Sequence, residues 1–268
     1  MQPLNDCPAA TLAAVRGVLA DIDDTLTTDG RLPAVAYAAM EAVQRAGLLM
    51  IPITGRPAGW CDHIARMWPV DGVVGENGAF WFRYDAPARK MVRRYVEPDD
   101  VRARNRERLA AVRDRILAAV PGCAVAADQH YREADLAIDF CEDVPPLPAA
   151  AIDRIVALMQ EAGMTAKVSS IHVNGWFGRY DKLGMTRNLL AEAFGIDAEA
   201  EKARLVFAGD SPNDAPLFAF FPNAVGVANV RDFESQLPAR PAWITNGRGG
   251  AGFAELVATL LAARAAAA

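Results

Sequence analysis

The apolar run Val18-Leu19-Ala20 is followed directly by Asp21-Ile22-Asp23-Asp24-Thr25. A short apolar stretch of this kind reads as a buried strand, and this one delivers two carboxylates to the loop beyond it. Charge at the edge of a core is costly unless a cation or a reaction uses it. Residues two apart on an extended segment share a direction, so Asp21 and Asp23 face the same way. One can attack phosphorus while the other passes a proton, and magnesium takes oxygen ligands of this type alongside phosphate groups. From this segment alone the alternative is a helix-capping Asp and a solvated turn.

The surrounding pattern predicts the layer that such a strand belongs to. Strands are expected at Val15–Ala20, Leu48–Ile53 and Gly72–Val74, with helices at Pro33–Ala46, opened by proline and stopped at Gly47, and through Cys61–Met67. The alternation returns near the end, with a helix over Leu183–Phe194, a strand over Leu205–Ala208, a helix over Pro212–Phe220 and a strand over Ala224–Val227. Strand–helix alternation argues for a parallel sheet covered by helices. Between the halves, over 83–178, the character changes. A long arginine-bearing helix (Asp99–Val120) precedes strands near Cys123–Ala126 and Leu136–Phe140, a helix near Pro148–Ala162 and a strand at Thr165–Val173. That is enough material for an inserted α+β domain.

Composition narrows the function classes. A chain of 268 residues with 52% apolar residues and a net charge of −5 can bury a substantial core. No basic run with interleaved aromatics suggests a nucleic-acid surface. The nearest approach is Arg102-Ala103-Arg104-Asn105-Arg106-Glu107-Arg108, read as a solvated helix face because of Glu107 and the apolar helix that follows. Cys7, Cys61, Cys123 and Cys141 are scattered and are expected to be thiols in a reducing compartment. The N-terminus has no basic segment leading into an apolar signal core, and no uninterrupted apolar run reaches the about eighteen residues of a membrane span. The Ala-rich end, Ala254–Ala268, with Glu255 and Arg264, predicts a closing helix that frays. The expectation is a cytoplasmic protein with no nucleic-acid or membrane partner.

Four separated segments place polar residues at the carboxyl end of an apolar strand or at a helix start, where an open parallel sheet gathers its ligand crevice. Asp21–Thr25 is the first. In Ile51-Pro52-Ile53-Thr54-Gly55-Arg56 the Thr54 hydroxyl and the following backbone amides can hold phosphate oxygens, or Thr54 can simply cap a strand-to-helix turn. Lys182 opens a helix in a chain with four lysines and twenty-four arginines, and a compact ammonium suits a bridge between carboxylate and phosphate; a surface lysine is the other reading. Leu205-Val206-Phe207-Ala208 leads into Gly209-Asp210-Ser211-Pro212-Asn213-Asp214, with Asp210 at the strand tip and Asp214 one turn on, which can direct two carboxylates at one cation. A capped helix explains Ser211 to Asp214 but leaves Asp210 without a reason.

In this order, Asp21-x-Asp23-x-Thr25, Thr54-Gly55-Arg56, Lys182 and Gly209-Asp210-x-x-Asn213-Asp214 resemble the four motifs of the haloacid dehalogenase-like phosphatases. The insertion resembles the α+β cap of the Cof-type and sucrose- or trehalose-phosphate phosphatase branch, and Gly75-Glu76-Asn77-Gly78-Ala79 resembles a segment common there. The similarity spans about Val15 to Phe253. It implies an α/β fold with a Rossmann-like parallel-sheet core (1–82 and 179–268) and an inserted α+β cap domain (83–178). Two departures stand out: Asp24, where many members have Gly, and Leu183 between Lys182 and Gly184.

The resemblance implies Asp21 as nucleophile, forming an aspartyl-phosphate, and Asp23 as acid and then base. It places Mg²⁺ among Asp21, the Asp23 carbonyl, Asp210 and the phosphate, with Asp214 as a ligand or as support. Thr54, Gly55 and Lys182 would hold the transferring group, Asn213 would help orient it, and Arg56 would reach phosphate or form a structural ion pair. His172, Asn174, Trp176 and Arg179 are candidate cap contacts, against the plainer readings of packing for Trp176 and an exposed strand face for His172. Arg102 to Arg108 could draw a second anionic group. The leading expectation is a magnesium-dependent phosphatase acting on a small phosphorylated metabolite, most plausibly a sugar phosphate. A phosphosugar mutase and a non-catalytic metabolite sensor are the competing readings.

Overall fold

The structure is a computed structural model that describes residues 1–169 and 171–267. Its strands in chain order are β1 (Gln2–Pro3), β2 (Gly17–Ala20), β3 (Leu49–Pro52), β4 (Val73–Gly75), β5 (Phe80–Asp85), β6 (Lys90–Tyr95) and β7 (Ala124–Val125). They continue with β8 (Asp135–Asp139), β9 (Thr165–Val168), β10 (His172–Trp176), β11 (Leu205–Gly209), β12 (Val225–Gly226) and β13 (Trp243–Ile244). The helices are α1 (Ala9–Ala13), α2 (Ala34–Arg45), α3 (Ala58–Met67), α4 (Asp99–Ala119), α5 (Ala149–Glu161), α6 (Lys182–Phe194), α7 (Ala198–Glu201), α8 (Ala215–Phe220) and α9 (Gly249–Ala267).

An α/β architecture is observed, as expected. Six strands form one sheet in the order β1-β13-β12-β11-β2-β3, and every pairing in it is parallel. Both faces are covered, which is why β2 and β11 read as unbroken apolar runs. Alternate residues serve opposite faces: Val18, Ala20, Val206 and Ala208 join a cluster with Met40 of α2 and Phe253 and Leu256 of α9. Leu19, Leu205 and Phe207 instead meet Met185 and Leu189 of α6 and Leu217 of α8. Each fully buried Leu or Phe here contributes roughly 1.5–3 kcal/mol.

A third cluster lies apart, built from Leu109 and Ile116 of α4, Leu158 of α5, and Leu136, Ile138 and Val173 of the antiparallel sheet β7-β8-β10-β9. The hairpin β5–β6 crosses position 83, and its Phe80 and Phe82 pack in the first cluster with Met91 and Tyr95.

Three sequence expectations change. The strand expected over Gly72–Val74 is β4, whose partner is β5 in an antiparallel sheet, and a single Ile53–Val74 bridge links it to the segment after β3. The strand expected at Thr165–Val173 is two antiparallel strands, β9 and β10; Ser170 between them lies outside the described residues. The helix expected over Pro212–Phe220 opens with one 3-10 turn, Pro212–Asp214, before α8. Helix α9 is long and apolar enough to cross a membrane by length and composition, yet its Phe253, Leu256, Val257 and Leu260 are buried in the first cluster. Ala268, in the segment expected to fray, lies outside the described residues.

Candidate active site

The adjacency of β2 and β11 decides the site. Ala20 is in register with Ala208, and the Asp21 N–H donates to the Ala208 carbonyl at 2.9 Å, so the two strands end side by side. Parallel neighbours lie about 4.8 Å apart, and Asp21 and Asp210 therefore leave the sheet at one spot. Gly209 makes room for a third acid: a Cβ there would stand 2.5 Å from Asp214 Oδ2. That oxygen instead accepts the Asp210 N–H at 3.1 Å. Ligand-capable oxygens of Asp21, Asp210 and Asp214 all lie within 4.8 Å of one another, and all three residues are buried.

Lys182, the first residue of α6, is buried against this cluster. Its Nζ donates to Asp21 Oδ1 at 2.6 Å and to Asp214 Oδ1 at 3.1 Å. Asp181 caps the helix by accepting the Gly184 N–H at 2.7 Å, which accommodates Leu183 between Lys182 and Gly184. Burial works against the Lys182 charge, but Asp21 and Asp214 more than offset it and hold the ammonium protonated. The acids outnumber their cation. Burial, then Asp214 and Asp23, push the Asp21 carboxyl up to about 8 despite Lys182. Burial, Asp214 and Asp21 push Asp210 well above the usual carboxylate range. Three clustered carboxylates and one ammonium suit a divalent cation with oxygen ligands.

The loop after β2 has a specific backbone demand. Asp24 sits at φ 57°, in the left-handed region that Gly takes freely and Asp tolerates, which explains why either residue can stand there. Its carbonyl accepts from Asn229 Nδ2 at 2.9 Å, and the same amide nitrogen donates to Asp210 Oδ2 at 3.2 Å. Thr25 Oγ1 donates to Asp210 Oδ1 at 3.3 Å.

Thr54 is fully buried, and its hydroxyl accepts the Arg56 N–H at 3.0 Å; Gly55 and Arg56 themselves line the cavity. The Arg56 guanidinium forks onto Asp23, with Nε at 2.9 and 3.1 Å from its two oxygens and Nη2 at 2.7 Å from Oδ1. Nη1 of Arg56 lies 3.5 Å from Glu142 Oε1. Of the two roles considered for Arg56, the ion pair is the one its side chain makes here.

The cavity, about 230 Å³, is lined by Asp21, Lys182, Asp210 and Asn213, and also by His172 and Asn174 from β10. Trp176 is not on this wall; it is buried, with its ring stacked 5.7 Å from that of Tyr180. Arg179 is exposed and outside the cavity. His172 is buried rather than on an exposed strand face. The arginines of α4 are occupied by neighbours: Arg104 by Asp100, Arg106 by Glu133 and Arg102 by Asp99 and Glu133, while Arg108 stacks over Phe177.

His172 supports a pH prediction. Burial and the Arg132 charge hold it below its ordinary value of 6.5, with Arg56 acting in the same direction, against Glu142 and Asp128. Its folded value is lower than its unfolded one, so it contributes stability above about 6.5 that is lost as pH falls toward the folded value. Relative to His172→Gln, the wild type should lose unfolding free energy between pH 7 and 5 in urea titrations. A stability difference that does not vary with pH would refute this.

No family model matches the chain, and no curated protein sequence matches it. Solved structures do. A sucrose-phosphatase from Synechocystis, in complex with sucrose and phosphate, aligns at a TM-score of 0.62 and 16% identity, over 91% of this chain and 97% of its own. The C-terminal domain of a trehalose-6-phosphate phosphatase from C. albicans aligns at 0.68 and 12% identity, over 99% of each chain. A haloacid dehalogenase-like hydrolase from Bacteroides thetaiotaomicron aligns at 0.63 and 13% identity, over 91% and 98%. The chain has the haloacid dehalogenase-like fold.

Within that fold, several residues shape the site that the motif reading left out. Asn229 holds both Asp24 and Asp210, and no local pattern marks it. Arg132 reaches from the segment before β8 to the Gly55 carbonyl at 3.0 Å while paired with Asp128 and Asp135. Asn77 lies on the cavity wall, inside the noted Gly75–Ala79 segment.

Proposed function

We propose that this protein is a magnesium-dependent phosphatase that hydrolyses a small phosphorylated metabolite, with sugar phosphates as the first class to test. The observation that carries the reading is Lys182 Nζ, bonded at once to Asp21 (2.6 Å) and Asp214 (3.1 Å) beside Asp210 in a buried cluster at the cavity end. A lysine in that place neutralises a nucleophilic carboxylate and an incoming phosphate together.

Asp21 attacks phosphorus and the phosphoryl group transfers to its carboxylate. Asp23 gives its proton to the departing alcohol oxygen, then takes one from the water that cleaves the aspartyl-phosphate and frees inorganic phosphate. Arg56, forked onto Asp23, fixes where that side chain sits in this structure. Thr54 holds the Arg56 N–H and so shapes the loop; Gly55, Arg56 and Asn213 stand where phosphoryl oxygens would sit. Asp21, Asp210 and the Asp23 carbonyl would hold Mg²⁺, with Asp214 supporting both Asp210 and Lys182 from behind. The ion supplies positive charge that offsets repulsion between two anionic reactants. The insertion over 83–178 acts as the cap, and His172 and Asn174 bring it to the cavity wall. A cavity of about 230 Å³ favours a compact substrate, since drug-sized ligands occupy roughly 300–1,000 Å³. A reducing, cytoplasmic setting fits the thiols of Cys7, Cys61 and Cys123.

The test is phosphate release from a panel of sugar phosphates and other phosphorylated metabolites. We expect release in magnesium and none after chelation, together with a melting temperature that rises with magnesium concentration because the ion binds the folded state. Release that persists in chelator would remove the metal from the mechanism. No release from any compound in magnesium-loaded protein would end the hydrolase reading.

A further inference from the structure

Asn77 is a polar side chain with an unmet bond. It is 7% exposed and lines the cavity, and its Nδ2 is buried with no hydrogen-bond partner among the described residues. Buried donors are nearly always paired, so an unpaired one on a residue that lines a cavity marks a place where a ligand atom belongs.

The backbone beneath it is strained and externally enforced. Glu76, Asn77 and Gly78 have φ of 41°, 55° and 106°. Successive left-handed residues that carry side chains persist only where their surroundings hold them, and such strain gathers at ligand sites. Three contacts do the holding. The Glu76 carboxylate accepts the N–H groups of Ala58 (2.9 Å), Glu133 (2.8 Å) and Ala134 (2.6 Å). The Asn77 N–H donates to the Thr54 carbonyl at 3.1 Å. Gly78 is pressed on the Asp181–Lys182 peptide, where a Cβ would stand 2.0 Å from the Asp181 carbonyl oxygen. The carboxamide is thus aimed by a rigid turn, with its Nδ2 kept for something else.

Its position says what. A Cβ built on Gly55 would lie 3.2 Å from both Nδ2 and Oδ1 of Asn77, and the turn abuts Lys182. Asn77 therefore stands beside both elements assigned to the phosphoryl group, Gly55 and the start of α6 at Lys182. We propose that Asn77 Nδ2 donates a hydrogen bond to a non-bridging oxygen of the bound phosphoryl group. This deepens the phosphatase reading and rests on it.

The test uses Asn77→Gly, which removes the amide while keeping a residue that adopts positive φ freely. Inorganic phosphate, titrated calorimetrically into full-length protein with magnesium, reports binding without turnover; p-nitrophenyl phosphate reports kcat/KM. We expect the phosphate Kd to rise about 10- to 100-fold, with a parallel fall in kcat/KM, as for loss of a hydrogen bond to a charged group. The melting temperature should stay close to wild type, which a purely structural role would not allow. Should Asn77→Gly fail to fold, Asn77→Asp keeps the shape and tolerates the backbone, and should weaken phosphate at least as much by charge repulsion. Unchanged phosphate affinity in the folded variant overturns the assignment, as does a wild type that binds no phosphate. A wild type that binds phosphate but hydrolyses nothing sinks the hydrolase reading alone, and the variant's phosphate affinity still decides the role of Asn77.

Discussion

Asp21→Asn should end phosphate release, with kcat falling by at least about 10³-fold, because the amide cannot serve as the attacking carboxylate. The shape of the side chain is kept, so the fold should survive. Its stability should even improve when metal is absent. Asp21 is buried and its carboxyl is driven up to about 8 by that burial and by Asp214 and Asp23. Three clustered acids share one ammonium, and an amide removes one desolvated acid from the cluster while Lys182 keeps its 3.1 Å bond to Asp214. Two measurements check this. Intact-protein mass after acid quenching should show one added phosphoryl group on the wild type given substrate and none on the variant. Melting in chelator should place the variant at or above wild type. A variant that still releases phosphate at a comparable rate would remove Asp21 from the mechanism.

Lys182→Met should produce the largest loss of stability, and the loss should depend on metal. The ammonium is buried and bonded to two carboxylates. Methionine matches its length, but Asp21 and Asp214 then lose the cation bonded to them, with Asp210 beside them. Removing one partner of a buried charge pair costs about 3–5 kcal/mol. Magnesium, binding the folded state near the same oxygens, should restore part of that loss. Urea unfolding of wild type and variant, each in magnesium and in chelator, separates the contributions. The idea fails if the variant is as stable as wild type in chelator, or if magnesium narrows the gap not at all.

Particular elements show why some of this was legible and some was not. Strands β2 and β11 are buried on both faces, so they appear in the chain as unbroken apolar runs, and their acidic exits are visible as the next residues. Strand β6, Lys90-Met91-Val92-Arg93-Arg94-Tyr95, is largely exposed and charged, so its place in a hairpin with β5 left little periodic signal. Strands β9 and β10 merged into one because no glycine or proline stands between Val168 and His172 to announce a turn. Strand β4 was recognised as a strand, but the direction of its partner is a long-range choice that no local window contains.

By itself the sequence determined the α/β class, and it supplied the order of the residues proposed to carry chemistry: Asp21, Asp23, Thr54, Gly55, Arg56, Lys182, Asp210, Asn213 and Asp214. Those signals are local, written as apolar periods and as polar residues at their ends. Tertiary structure decided the partnerships. Lys182 meets Asp21 across 161 positions, Arg56 pairs with Asp23 and Glu142, and Asn229 steadies Asp210. It also left the amide nitrogen of Asn77, a residue of the cavity wall, without a partner among the described residues. The physical reason is that strand register and burial set which charges share a low-dielectric space, and only within that space does each charge select its counterpart.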